Sequence, residues 1–119
     1  MRILVVDDNQ DALRTLAAIL TLEKHTVTLT ASAGPALEAA AGSAFDVILL
    51  DIKMPGVDGF QVADRIRTMT LPKQPLIIAV TVLTSITKKT LDEHGIDLHL
   101  AKPFTIERLT TALQSLGTH

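Results

Sequence analysis

The chain is predicted to be an α/β protein with five strands and five helices in alternation, and two observations predict it. Short, unbroken apolar runs at Ile3-Leu4-Val5-Val6, Val47-Ile48-Leu49-Leu50 and Leu76 to Thr81 are too brief for helices and read as strands buried on both faces, as in parallel sheets. Between them lie segments with apolar residues at helical spacing. Alternation of this kind implies a parallel sheet covered by helices on both faces and joined by right-handed crossovers.

Each element has a local reason. From Asn9 to about Leu22, the positions Ala12, Leu13, Leu16, Ala17 and Leu20 form one apolar stripe, opposite Asp11, Arg14 and Thr15; Asp8 or Asn9 is suited to cap this helix. Thr26 to Thr30 alternates threonine with Val27 and Leu29 and reads as an edge strand. Gly34-Pro35 opens a short Ala-rich helix that Gly42 closes. After the Val47 strand, Pro55-Gly56 marks a turn. A third helix is expected from Gly59 to about Thr68, with Phe60, Val62, Ala63 and Ile66 at near-helical spacing, and the prolines of 71–75 make a loop. Thr84 or Ser85 is expected to cap a polar fourth helix that Gly95 ends. Ile96 to Ala101 is expected as the last strand. Thr105-Ile106-Glu107 then starts a fifth helix, with Ile106, Leu109, Leu113 and Leu116 on one side.

Composition bounds the function. At 119 residues, 47% hydrophobic and 20% charged, the chain fits one globular domain over residues 1–119. A net charge of −2 with scattered basic residues argues against a nucleic-acid surface. Three phenylalanines with no Trp or Tyr leave little for stacking on bases. The absence of cysteine excludes disulfides and thiolate metal sites. Met1-Arg2 runs straight into an apolar stretch ending in Asp7-Asp8, so no signal peptide fits and no stretch approaches a membrane span. A cytoplasmic location is expected, for this protein or for a larger one from which it was cut.

Because parallel strands point the same way, their carboxyl ends bring Asp7, Asp8, Asp51, Thr81 and Lys102 to one edge, the edge where open α/β sheets bind ligands. Three carboxylates about 5 Å apart repel by about 3 kcal/mol per pair at an effective dielectric near 20. A hard divalent cation offsets this. Mg²⁺ takes one or two carboxylates, keeps several waters and leaves room for a phosphate oxygen. Lys102 adds a mobile point charge and Thr81 a hydroxyl donor. These are the parts of a phosphoryl-transfer site, with Asp51 as the nucleophile that forms an acyl phosphate. Taken singly, each residue is ordinary as a helix cap, turn former or strand-end polar group. Their joint order is not.

The chain resembles the receiver (response regulator) domain of two-component signalling over essentially all of its length. The residues that carry the resemblance are Val5-Val6-Asp7-Asp8-Asn9, Asp51-Ile52-Lys53-Met54-Pro55-Gly56-Val57-Asp58-Gly59, Thr81 and Lys102-Pro103-Phe104. The resemblance implies a doubly wound, flavodoxin-like receiver fold with strand order 2-1-3-4-5. It implies phosphorylation of Asp51 by a phosphohistidine on a sensor histidine kinase or histidine phosphotransfer protein. Asp8 and Asp51 would bind Mg²⁺ directly, Asp7 through water, and the backbone carbonyl of Lys53 would complete the protein ligands. Thr81 and Lys102 would hold the phosphoryl oxygens. Reorientation of Thr81 would report to the face of helix four, strand five and helix five, where an output domain or a second copy would dock. The Lys102-Pro103 bond is expected to be cis, as it usually is in such receivers, against a base rate of about 5–6% for X-Pro bonds.

Two positions depart from the commonest receiver pattern. Val82 stands where a small Ala or Gly is usual, which bears on access to Asp51. His99 stands in place of the usual Tyr or Phe switch residue, flanked by Leu98 and Leu100 so that alternation turns it toward the fourth helix. Rival readings fit less well. An aspartyl phosphatase usually has a second Asp two residues after its nucleophile, where this chain has Lys53. A flavodoxin-like electron carrier needs a hydroxyl- and glycine-rich loop, whereas Asp8-Asn9-Gln10-Asp11 would repel a phosphate. A degenerate docking-only receiver lacks one of the five key residues, and none is missing here. His25, His94 and His119 do not converge on a metal site, and His94 beside Gly95 suits a helix C-terminus.

Overall fold

A computed structural model describes residues 1–82 and 86–117. The expected alternation is present as β1 (Arg2–Val6), α1 (Gln10–Leu22), β2 (Thr26–Thr30), α2 (Ala33–Gly42), β3 (Val47–Asp51), α3 (Gly59–Thr68), β4 (Leu76–Thr81), α4 (Lys88–Glu93), β5 (Leu98–Ala101) and α5 (Ile106–Gly117). The five strands form one parallel sheet in the order β2-β1-β3-β4-β5. Chain direction reverses sides at the centre of this order. The switch point thus falls between β1 and β3, whose carboxyl ends carry Asp7 and Asp51.

Period-two alternation along the strands sorts side chains into two cores. Leu4, Val6, Ile48, Leu50, Ile77 and Ala79 face α2 and α3, meeting Ala36, Ala40, Val62, Ala63 and Ile66. Ile3, Val5, Val47, Leu49, Ile78, Val80 and Leu100 face α1 and α5, meeting Leu13, Leu16, Leu20, Leu109 and Leu113. All five residues of β3 are buried, so the strand that ends in Asp51 is the most enclosed element. Burying one Leu or Ile contributes about 1.5–3 kcal/mol. The sheet is therefore a stiff platform for what lies at its edge.

Caps follow the sequence closely. Asn9, not Asp8, caps α1, its side-chain oxygen accepting from the Ala12 amide at 3.1 Å. Asp58 caps α3 by accepting from the Phe60 amide at 2.9 Å. Three boundaries differ from expectation. The fourth helix begins only at Lys88, capped by Thr87, whose hydroxyl accepts from the Thr90 amide; Thr84 and Ser85 lie outside the described residues. Its sequence carries a single apolar residue, Leu91, and so gives no periodic signal for a start. Strand β5 begins at Leu98, because Ile96 closes the end of α4: its amide donates to the Leu91 carbonyl at 2.9 Å while Gly95, at φ 66°, donates to that of Asp92. That is a Schellman end, and Ile96 and Leu91 belong to the same apolar cluster. The segment after Asp51 is more than a turn, since Lys53–Met54 pairs antiparallel with Val57–Asp58 around Gly56 at φ 69°.

Candidate phosphoacceptor site

Asp7 stands just beyond β1 and is 3% exposed. Its Oδ1 accepts from the Asn9 amide at 2.9 Å, so the cap residue of α1 also orients this carboxylate. Asp8 follows it into solvent. Asp51 ends β3 at 6% exposure, with its Oδ1 accepting from the Lys53 amide at 3.2 Å. One oxygen from each of Asp7, Asp8 and Asp51 lies within 4.8 Å of the others. The close approach of α3 behind Asp51 depends on Gly59: a Cβ there would lie 2.5 Å from the Ile52 Cα and 2.7 Å from the Asp51 carbonyl oxygen. No other residue fits without moving the strand end.

Lys102 reaches this cluster from the loop after β5. Its Nζ donates to Asp7 Oδ2 at 3.1 Å and to Asp51 Oδ2 at 3.4 Å. Its amide donates to the Thr81 carbonyl at 2.9 Å, which fixes the base of the side chain, and the Lys102-Pro103 bond is cis as expected. Thr81 ends β4 one residue beyond Val80, the register partner of Asp51, and is 1% exposed. The expected acids, the hydroxyl residue and the lysine therefore share one edge, and the backbone of Lys53 lies in the adjoining ladder. Val82 is 57% exposed at the rim. It borders a groove of about 570 Å³ that runs from Asp7 and Lys102 between Ala12, Leu16 and Ile19 of α1 and the Pro103-Phe104 segment.

Charges in the cluster are set by burial and by each other. Burial pushes the Asp51 carboxyl above its ordinary range, Lys102 opposes this, and the charge of Asp7 adds to the rise. Burial alone would lower the Lys102 ammonium, but the hydrogen bond it donates to Asp7 and the charges of both acids carry it above its ordinary value. Asp51 is raised although Lys102 stands beside it because burial outweighs an ammonium that is shared and lies nearer to Asp7. The donor set fits a hard divalent cation: three carboxylates with oxygen atoms close together, two buried and one open to solvent.

His99 lies away from the mouth. Its register partner is Ala79, a member of the core facing α2 and α3, so it points where alternation placed it. It is half-buried, not solvated, and its Nε2 is buried with no hydrogen-bond partner among the described residues. His94 forms the C-cap of α4, as its place beside Gly95 suggested. The sequence did not reveal its contacts with α3. His25 instead meets the N-terminal amine, and His119 lies outside the described residues.

Comparison with known proteins agrees with this geometry. The chain is 35% identical over 118 residues to the transcriptional regulatory protein TcrA of Mycobacterium tuberculosis, covering 98% of this chain and 46% of that protein. It is 36% identical over 114 residues to the signal transduction histidine-protein kinase BarA of Shigella flexneri, covering 95% of this chain and 12% of the kinase. This chain thus spans about half the length of the regulator and a small part of the kinase. Among solved structures, the chemotaxis protein CheY4 of Vibrio cholerae superposes with a TM-score of 0.89 at 31% identity, over 97% of both chains. The receiver domain of the sensor histidine kinase PA1611 of Pseudomonas aeruginosa, with magnesium coordinated in its active-site cleft, superposes at 0.86 with 30% identity over 98% of both. The response regulator receiver domain model matches residues 3–114, almost the whole sheet and its helices, and the chain belongs to that family of two-component signalling domains.

Proposed function

We propose that Asp51 is the phosphoacceptor and that a phosphohistidine on a sensor histidine kinase or a histidine phosphotransfer protein is the donor. The observation that carries this reading is the approach of Asp7, Asp8 and Asp51 to within 4.8 Å, with the Lys102 ammonium on two of them. In the transfer, an oxygen of the ionised Asp51 carboxylate bonds to phosphorus as the phosphorus–nitrogen bond breaks, and its electron pair returns to the imidazole. Mg²⁺, held directly by Asp8, Asp51 and the Lys53 carbonyl and through water by Asp7, would neutralise charge shared by the carboxylates and the phosphoryl oxygens. Lys102 pairs with a phosphoryl oxygen, and Thr81 donates its hydroxyl to another. Asp7, held by the Asn9 amide, keeps Lys102 aimed at Asp51.

Residues 1–119 act in this reading as one receiver domain. The domain promotes its own phosphorylation and dephosphorylation and turns over no outside substrate, since Lys53 stands where an aspartyl phosphatase carries its acid–base Asp. The phosphorylated state changes the face formed by α4, β5 and α5 through Thr81 and His99, and an output domain or a second copy docks there. The buried Nε2 of His99, without a hydrogen-bond partner among the described residues, supports a ring that is poised to move. Among the described residues no helix is long and apolar enough to cross a membrane, and we assign the domain to the cytoplasm. Treatment with a small phosphodonor and Mg²⁺, followed by intact mass, tests the assignment. One phosphoryl group is expected on the wild type and none on Asp51→Asn or in EDTA; acid-stable label persisting on Asp51→Ala overturns it.

A further inference from the structure

Among the described residues, α4 is held to the body of the protein by few side-chain contacts. It is six residues long and has no buried residue, and Leu91 is its one apolar side chain. Two attachments, both at its C-terminal end, differ in kind. Behind it, Arg67 of α3 donates through Nε to the Gly95 carbonyl at 2.8 Å, through Nη1 to the Pro75 carbonyl at 2.7 Å and through Nη2 to Asp97 Oδ2 at 3.2 Å. Asp97 Oδ2 in turn accepts from the Ile77 amide. Gly95 has no room for a side chain, because a Cβ would lie 2.7 Å from the Arg67 Cγ. The turn after α4 is thereby pinned to α3 and to the start of β4.

Beside that pin is a contact of another character. His94 stacks on Phe60 with ring centroids 4.6 Å apart at 26°, and its Nδ1 lies 2.7 Å from Asp64 Oδ1. Phe60 and Asp64 are four apart on α3, so they present one surface to the ring. The His94 and Asp64 side chains are 26% and 48% exposed. Such a contact is weak enough to open without unfolding anything.

We propose that Phe60 and Asp64 form a latch for His94 that holds α4 in its resting position, with the Arg67-clamped Gly95 turn as the pivot, and that the latch sets the threshold for opening the signalling face. This rests on the phosphoacceptor reading of Asp51. A contact made only in the resting state lowers the apparent affinity of any ligand that favours the other state. Loosening it should therefore strengthen binding of a phosphoryl mimic at a site the latch does not touch.

The test uses the unmodified chain, with hydrogen exchange of the Leu91 and Ile96 amides as one readout and beryllofluoride binding in Mg²⁺ as the other. His94→Ala and Asp64→Ala are each expected to speed exchange in α4 by about three- to tenfold, a size typical of one exposed pair with a ring contact. Exchange in β1 and β3 should stay as in the wild type, which verifies the fold. Each variant should bind beryllofluoride several-fold tighter, the double variant little more than either single one, and His94→Phe, which keeps the stack alone, in between. Unchanged α4 exchange overturns the latch, and faster exchange with unchanged affinity overturns its role as a threshold. A wild type that takes up no beryllofluoride instead overturns the phosphoacceptor reading, and the threshold with it.

Discussion

The ammonium of Lys102 lies 3.4 Å from Asp51 Oδ2 across 51 positions of sequence, yet the Asp51 carboxyl stays above its ordinary range. Burial and the neighbouring Asp7 outweigh a cation that both acids share. A carboxyl whose folded value is raised leaves the protein most stable below the unfolded value, about 3.9, and the destabilisation grows as pH rises through that value and is complete above the folded one. Asp51→Asn should therefore raise the melting temperature of the metal-free protein by a few degrees at neutral pH. The gain should fade as pH falls into the carboxylate range. Lys102 has the opposite sense: its folded value is raised, so its contribution is full at neutral pH and is lost only in alkali as pH passes the folded value. Thermal melts of Asp51→Asn and Lys102→Met between acid and alkaline pH check both signs, and an Asp51→Asn melting below the wild type at neutral pH contradicts the first.

Divalent metal should reverse the penalty that Asp51→Asn removes. A cation bound only by the folded state stabilises it by about 2.7 kcal/mol at a hundredfold excess over Kd. Addition of Mg²⁺ is expected to raise the wild-type melting temperature and EDTA to restore the original value. Asp8→Ala, which removes the exposed carboxylate of the cluster, should abolish most of the shift. Equal shifts in the two proteins would move the metal away from this site.

At the end of α1, Lys24 adopts φ 68° and closes a Schellman motif, with its amide on the Thr21 carbonyl and that of His25 on Leu20. A side chain in the left-handed region costs about 1–2 kcal/mol, which glycine avoids. Lys24→Gly should stabilise the domain by roughly 0.5–1 kcal/mol after its larger unfolded-state entropy is counted. Chemical denaturation with an unchanged slope and a higher midpoint is the expected result.

The site was legible in the sequence because topology does most of its assembly. Once Val47 to Leu50 and Ile3 to Val6 are parallel and adjacent, Asp51 and Asp7 must meet at one edge, and strand-end residues are read directly from where an apolar run stops. Contacts between helix surfaces leave no such trace. Asp64, Arg67 and His94 occupy positions that read as ordinary solvated polar residues, and their meeting across about 30 positions depends on how α3 and α4 settle on the sheet. Gly59 read only as the start of the third helix, whereas its requirement is the 2.5 Å that a Cβ would leave to Ile52. The start of α4 was invisible for want of apolar residues, and β5 was expected two residues early because Ile96 is buried by a helix end and not by strand pairing.

Val82 borders the groove that leads to Asp7 and Lys102. A β-branched side chain has few χ1 choices and swings aside with difficulty, so it should hinder an attacking water more than a docked phosphodonor. The acyl phosphate is expected to persist longer in the wild type than in Val82→Gly, by a few-fold. Equal rates of loss, followed by intact mass after removal of the donor, would leave the steric role without support.

His99 gives the last prediction. Its Nε2 is buried without a partner among the described residues, on the face of the sheet that it shares with Ala79. An unsatisfied buried polar atom costs about 1–3 kcal/mol, so an apolar ring should fit the inward position better. His99→Phe is therefore expected to raise the melting temperature of the unmodified domain. Thermal melts of the two unmodified proteins make the comparison, and a His99→Phe domain that melts no higher than the wild type would show that the buried ring nitrogen carries no cost.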